Sequence, residues 1–99
     1  MNIEKINNGN ELTLKIEGRL DTTTAPVLDR ELTDCLPGVE KLVFDLADLE
    51  YLSSAGLRVL LTAQKVMNKQ GEMTLIHVNE TIMEIFDITG FVDILTIEE

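Results

Sequence analysis

Apolar and polar positions change period several times along the chain, and each change marks the edge of an element. Ile3 and Ile6 flank polar residues, Asn7-Asn8-Gly9-Asn10 has turn chemistry, and Leu12, Leu14 and Ile16 then alternate with Thr13, Lys15 and Glu17. Alternation with a period of two marks a half-buried strand, so the spacing predicts a hairpin whose second strand buries one face. Gly18-Arg19-Leu20-Asp21 closes that strand. Thr22, Thr23 and Thr24 offer hydroxyl caps ahead of Pro26, whose ring suits the first turn of a helix. A helix beginning near Thr24 places Ala25, Leu28, Leu32, Cys35 and Leu36 on one face, opposite Asp29, Arg30, Glu31 and Asp34, until Pro37-Gly38 stops it.

Val39 to Leu46 reads as the central strand, and its nearly continuous apolar run predicts burial on both faces, as in parallel sheets. Asp48 to Ser54 reads as a loop. Leu57, Leu60, Leu61 and Ala63 through Met67 then recur at helical spacing until Asn68-Lys69-Gln70-Gly71, and Ser53 or Ser54 starts that helix. Met73 to Val78 predicts a further strand with His77 partly buried within it. Asn79 caps a third helix, with Val78 and Met83 as a hydrophobic staple, Ile82, Ile85 and Phe86 as the buried stripe, and Gly90 as the stop. Ile94 to Ile97 predicts a last short strand before the acidic end Glu98-Glu99.

The order β-β-α-β-α-β-α-β defines one compact α/β domain over residues 1–99 with a mixed, mostly parallel sheet. The first two strands pair antiparallel, and strands joined through single helices run parallel with right-handed crossovers. In such sheets function gathers at the carboxyl ends of strands. That edge carries Asp21 and the Asp48 to Ser54 loop, so two distant segments are expected to converge on one patch.

Composition narrows the partners. Ninety-nine residues with 44% hydrophobic and 26% charged content suit a single soluble core. No apolar run approaches the roughly 20 residues that cross a bilayer, and the start of the chain has no secretory pattern, so a cytoplasmic location is expected. Eighteen acidic against eight basic residues give a formal net charge of −10. That charge opposes binding to nucleic acid or to an anionic membrane. Cys35 is the single cysteine, which leaves no disulfide framework, and its place on an apolar face reads as core rather than reactive.

Catalysis finds no support. Gly56 and Gly71 stand alone, so no phosphate-cradling glycine loop is formed. A serine nucleophile lacks a base, because the lone His77 sits within a predicted strand, and Leu52 occupies the position where a nucleophile elbow has glycine. Asp45, Asp48 and Glu50 match no metal-loop spacing, so neither a metal nor any other cofactor is expected. A serine at the start of a helix has two roles open to it. Its hydroxyl can cap an unpaired backbone N–H, or it can carry a phosphoryl group where the positive end of the helix dipole tolerates negative charge.

Gly18-Arg19-Leu20-Asp21, the strand LVFDL, the loop Glu50-Tyr51-Leu52-Ser53-Ser54-Ala55-Gly56-Leu57 and the late Phe86-Asp87-Ile88-Thr89-Gly90-Phe91 together resemble a STAS domain of the bacterial anti-sigma factor antagonist type. The resemblance spans nearly the whole chain and implies partner switching rather than enzyme activity. In that family the unphosphorylated antagonist binds an anti-sigma factor, often also a serine kinase, and so frees a sigma factor. Phosphorylation of a loop serine blocks the binding and a PP2C-type phosphatase restores it. Aligned on Gly56-Leu57, the resemblance implies phosphorylation at Ser54, with Ser53 as second choice. It also implies a partner surface comprising Asp21, Thr22, Asp48, Tyr51, Ser53, Ser54, Gly56, Leu57 and Arg58. Ser53 falls where many members have aspartate, which removes an acid beside the switch. A monomer when free suits a protein that exchanges partners. The alternative is a constitutive STAS subunit of a lipid-transport or stress-signalling assembly, without phosphorylation.

Overall fold

The computed structural model describes residues 1–98, so Glu99, the last residue of the predicted acidic end, lies outside the described residues. β1 (Asn2–Asn8) and β2 (Glu11–Leu20) form the predicted antiparallel hairpin. They are followed by α1 (Ala25–Cys35), β3 (Lys41–Asp45), β4 (Leu49–Leu52), α2 (Ser54–Gln70), β5 (Glu72–Ile76), α3 (Glu80–Thr89) and a 3-10 turn (Phe91–Asp93).

β2 is the spine of the sheet. β1 pairs along one side of it, while β3 runs parallel along Glu11 to Lys15 on the other side and β4 runs parallel along Gly18 to Leu20. β5 lies parallel outside β3. The strand β4 corrects the reading of Asp48 to Ser54 as a loop. β2 has ten residues and β3 only five, so the last part of β2 needs another partner for its backbone groups. Leu49 to Leu52 supplies it. The register shifts between Gly18 and Arg19, a bulge at which the Gly18 N–H donates to the Asp48 carbonyl at 3.0 Å.

The core lies on one face of this sheet. Register aligns Leu12, Leu42 and Met73 in one row and Leu14, Phe44 and Leu75 in the next, all buried. Leu28 and Leu32 of α1, Leu60 and Met67 of α2, and Ile82 and Phe86 of α3 join the same cluster, so all three helices cover that face. Cys35 packs half-buried against it, and burial pushes its thiol pKa up. The opposite face carries Thr13, Lys15 and Asp45, with Val43 and Thr74 buried among their strand neighbours. The expected burial of β3 on both faces is observed, since Leu42 and Phe44 are buried on the helix side and Val43 on the other. Its apolar run reflects an inner strand hemmed in by β2 and β5, not a second helical layer.

Two further expectations change. His77 is neither in a strand nor partly buried: β5 ends at Ile76 because its partner β3 ends opposite, at Asp45. His77 turns out with φ +56, and its Nδ1 lies 3.1 Å from Asp45 Oδ1. The predicted strand Ile94 to Ile97 is reduced to one parallel bridge, between Ile97 and Leu75. The N–H groups of Ile94 and Leu95 donate back to the Phe91 carbonyl, at 3.0 and 2.9 Å, and so are spent on the turn before the chain reaches the sheet. Among the described residues, no helix is long and apolar enough to cross a membrane.

Candidate functional site

The site forms where β2 and β4 end together and α2 begins. Leu20 and Leu52 are paired, and the Ser53 N–H continues the ladder by donating to the Leu20 carbonyl at 2.9 Å. Asp21 and Ser54 each lie one residue beyond that bonded pair. The predicted convergence of Asp21 with the serines is thus built by backbone pairing.

The two serines divide the roles that sequence left open. Ser53 is the N-cap of α2, with extended backbone, and its Oγ accepts from the Gly56 N–H at 3.4 Å. Ser54 is the first helical residue, and it is exposed. Its hydroxyl is therefore not the one that caps the helix. Gly56 lets the helix start sit directly on the strand ends, since a Cβ there would come within 2.7 Å of Leu52 Cδ1, 2.8 Å of Leu20 Cγ and 2.9 Å of the Leu20 carbonyl oxygen. Asn79 braces the same strand from behind. Its Oδ1 accepts from the Ile82 N–H at 2.9 Å to cap α3, while its Nδ2 donates to the Leu49 carbonyl at 2.8 Å.

Asp21 is held by its own turn. Its Oδ1 accepts from the Thr23 hydroxyl at 2.9 Å, the Thr23 N–H at 3.0 Å and the Thr24 N–H at 3.1 Å. These bonds, led by that from the Thr23 hydroxyl, lower its carboxyl pKa below the ordinary value of 3.8. Arg19 bridges this turn to the neighbouring strand. Its Nε lies 3.7 Å from Asp21 Oδ2, and its guanidinium carbon lies 4.3 Å from the centroid of the exposed Tyr51 ring. The Arg19 contribution was missed from sequence. Its signal is the pairing of Arg19 with Tyr51, which is visible only once Leu49 to Leu52 is recognised as a strand.

Beside Ser54 a groove opens between α1 and α2. Thr22, Pro26 and Asp29 line one wall and Ala55, Arg58 and Thr62 the other, around a cavity of about 310 Å³. Farther along the same helices it continues into a more apolar groove of about 410 Å³ bounded by Leu32, Leu36, Ala63 and Val66. Arg58 lies one turn after Ser54 and is exposed, so both project from one side of α2.

The remaining site residues fall elsewhere. Gly56 and Leu57 are buried and support the helix start. Asp48 precedes β4 and is drawn away to Lys15, whose Nζ lies 3.4 Å from Asp48 Oδ2. With the four residues of β4 between them, it lies roughly 16 Å along the strand from Ser53. The patch expected to unite Asp21, Asp48 and the serines is corrected accordingly: Asp21, Thr22, Tyr51, Ser53, Ser54 and Arg58 cluster, and Asp48 does not. Among the described residues no group of three or more His, Cys, Asp or Glu side chains could hold a metal ion.

A one-sided α/β layer with a bulged spine strand, and a capped helix start presenting a free serine, define a STAS-type module. The chain belongs to the STAS domain family, whose model matches residues 2–99. It is 34% identical over 98 residues to the anti-sigma-B factor antagonist of Bacillus subtilis, covering 98% of this chain and 90% of that one. The fold is shared with a crystal structure of an anti-sigma factor antagonist from Mycobacterium paratuberculosis, with a TM-score of 0.87 at 20% identity over 97% of this chain and 83% of that one. It is also shared with the Bacillus cell fate determinant SpoIIAA in its phosphorylated form, with a TM-score of 0.76 at 13% identity over 99% of this chain and 92% of that one.

Proposed function

We propose that this chain is an anti-sigma factor antagonist that binds an anti-sigma factor with serine kinase activity while Ser54 is unmodified, and leaves it when Ser54 is phosphorylated. The observation that carries the reading is the division of labour at the helix start: Ser53 caps α2, and the exposed Ser54 hydroxyl stands beside the α1–α2 groove. The names of the B. subtilis relative and of the structural neighbours support the antagonist role. A phosphoryl group adds about −1.5 to −2 charges at neutral pH. At the first position of α2 it meets the positive end of the helix dipole, so the fold persists. A partner surface packed against a neutral hydroxyl would instead enclose an unpaired dianion, at a cost of several kcal/mol, and about 3 kcal/mol already weakens binding more than a hundredfold.

In this reading Asp21, Thr22, Tyr51, Ser53 and Arg58 contribute the contact surface around Ser54. Gly56 and Leu57 hold the helix start in place, and a PP2C-type phosphatase resets the switch. The test is intact mass measurement and phosphopeptide mapping of the protein isolated from its native cells, before and after phosphatase treatment. A phosphatase-sensitive group on Ser54 is expected. Absence of phosphate under growth, starvation and stress alike would reject the switch in favour of a constitutive subunit, and phosphate on Ser53 would reject the assignment of the residue.

A further inference from the structure

Exposed large apolar side chains are few on this protein, and half of them fall in one short segment. Ile88 at the end of α3 is 87% exposed, Val92 in the 3-10 turn 37%, and Ile94 just after it 49%. Helix and turn pack against each other, so the three side chains belong to one corner of the molecule. Concentration of this kind marks a contact surface rather than the scattered apolar exposure of an ordinary surface.

The charge around it says what covers it. From Gly71 onward the chain carries acids and no lysine or arginine. Glu84, Asp87 and Asp93 lie within or beside the segment, all exposed, and among the described residues none of them is ion-paired. A second copy would bring the same acids against these, and an anionic membrane would be repelled for the same reason. We propose that the corner formed by the end of α3 and the 3-10 turn, apolar at Ile88, Val92 and Ile94 within an acidic rim, docks a cationic amphipathic segment of a partner protein. The apolar side chains anchor such a segment, and the acids select its charge and speed the encounter. This surface shares no residue with the α1–α2 groove, so it stands whether or not Ser54 is a switch.

The test titrates the isotope-labelled whole protein with a synthetic peptide of leucine and lysine at helical spacing, followed by NMR. Peptides of lysine alone and of leucine with glutamate serve as controls. The largest shifts are expected at Ile88, Val92 and Ile94, and only with the leucine–lysine peptide. Ile88→Ser should weaken its affinity about tenfold or more, the loss of one buried aliphatic anchor. Val27→Ser, which truncates a half-exposed apolar residue of α1, should leave affinity unchanged. Because Ile88 is almost fully exposed, its replacement leaves the fold intact. Absent binding, an equal response to lysine alone, or shifts centred on the α1–α2 groove would overturn the proposal. So would Ile88-dependent dimerisation in sedimentation, which would make a second copy the occupant, or Ile88-dependent binding to phosphatidylglycerol vesicles.

Discussion

Replacing Ser53 and Ser54 one at a time should separate folding from switching. Ser53→Ala removes the oxygen that accepts from the Gly56 N–H, leaving that donor without its cap. Losses at N-caps run from about 0.5 to 2 kcal/mol. The 3.4 Å separation is long for such a bond, which puts this cap near the lower end, at about 0.5 kcal/mol. In a domain of this length 1 kcal/mol moves the thermal midpoint by about 4–8 °C, so Ser53→Ala should lower Tm by about 2–4 °C. Ser54→Asp acts differently. Its carboxylate enters the first turn of α2, where no acid now sits, and gains about 0.3–1 kcal/mol from the helix dipole. Its Tm should hold or rise by a few degrees, while binding to the anti-sigma factor kinase proposed as partner of the unmodified form falls more than a hundredfold. Calorimetry on both variants beside the parent gives the stability half of the comparison, and affinity for the partner gives the other. A fall in Tm with Ser54→Asp matching that of Ser53→Ala would refute the assignment, because it would mean that both hydroxyls hold the helix.

Three other outcomes follow from the packing. Gly71→Ala should destabilise by about 3 kcal/mol, readable in urea denaturation, because a Cβ there would lie 1.9 Å from the Glu40 backbone carbonyl oxygen, which cannot swing aside as a side chain could. Phe86→Ala empties a fully buried site of α3 and should cost about 3–5 kcal/mol by the same measurement. Asp21→Asn should lower Tm at neutral pH. The folded carboxyl pKa lies below its unfolded value, so the stabilisation from ionised Asp21 is complete above about pH 4 and fades as pH falls through the folded value. The gap between parent and variant should therefore close on acidification, and a gap that widened instead would contradict the hydrogen-bonded carboxylate.

Much of the fold was legible because local chemistry and burial agreed. The alternation through Leu12, Leu14 and Ile16 specified which face of β2 is buried, and the helical spacings from Leu28 to Leu36 and from Leu57 to Met67 specified α1 and α2. Asn79 announced its own helix, since a side-chain cap is a contact within four residues. The serine pair was also legible as a helix start, and resemblance to the family pointed to Ser54 as the residue now proposed as the switch. What the sequence left open was decided by long-range pairing. Four residues, Leu49 to Leu52, are too short for periodicity to identify, and they became a strand because β2 outruns β3. His77 left its strand because β3 ends opposite Ile76, and the turn claimed the N–H groups of Ile94 and Leu95, which left one bridge from Ile97 to Leu75 beside β5. At the site, Ser53 and Ser54 are indistinguishable by residue type. The ladder bond from Ser53 N–H to Leu20 and the approach of Gly56 to the strand ends made the first a cap and left the second free. Acidity around Ser54 was settled in the same way: Asp48 is close to Ser54 along the chain, but β4 carries it off to Lys15, while the pairing of Leu20 with Leu52 brings in Asp21 from a distant segment. Periodicity reports which side of an element is buried; hydrogen-bond register between elements decides which residues meet.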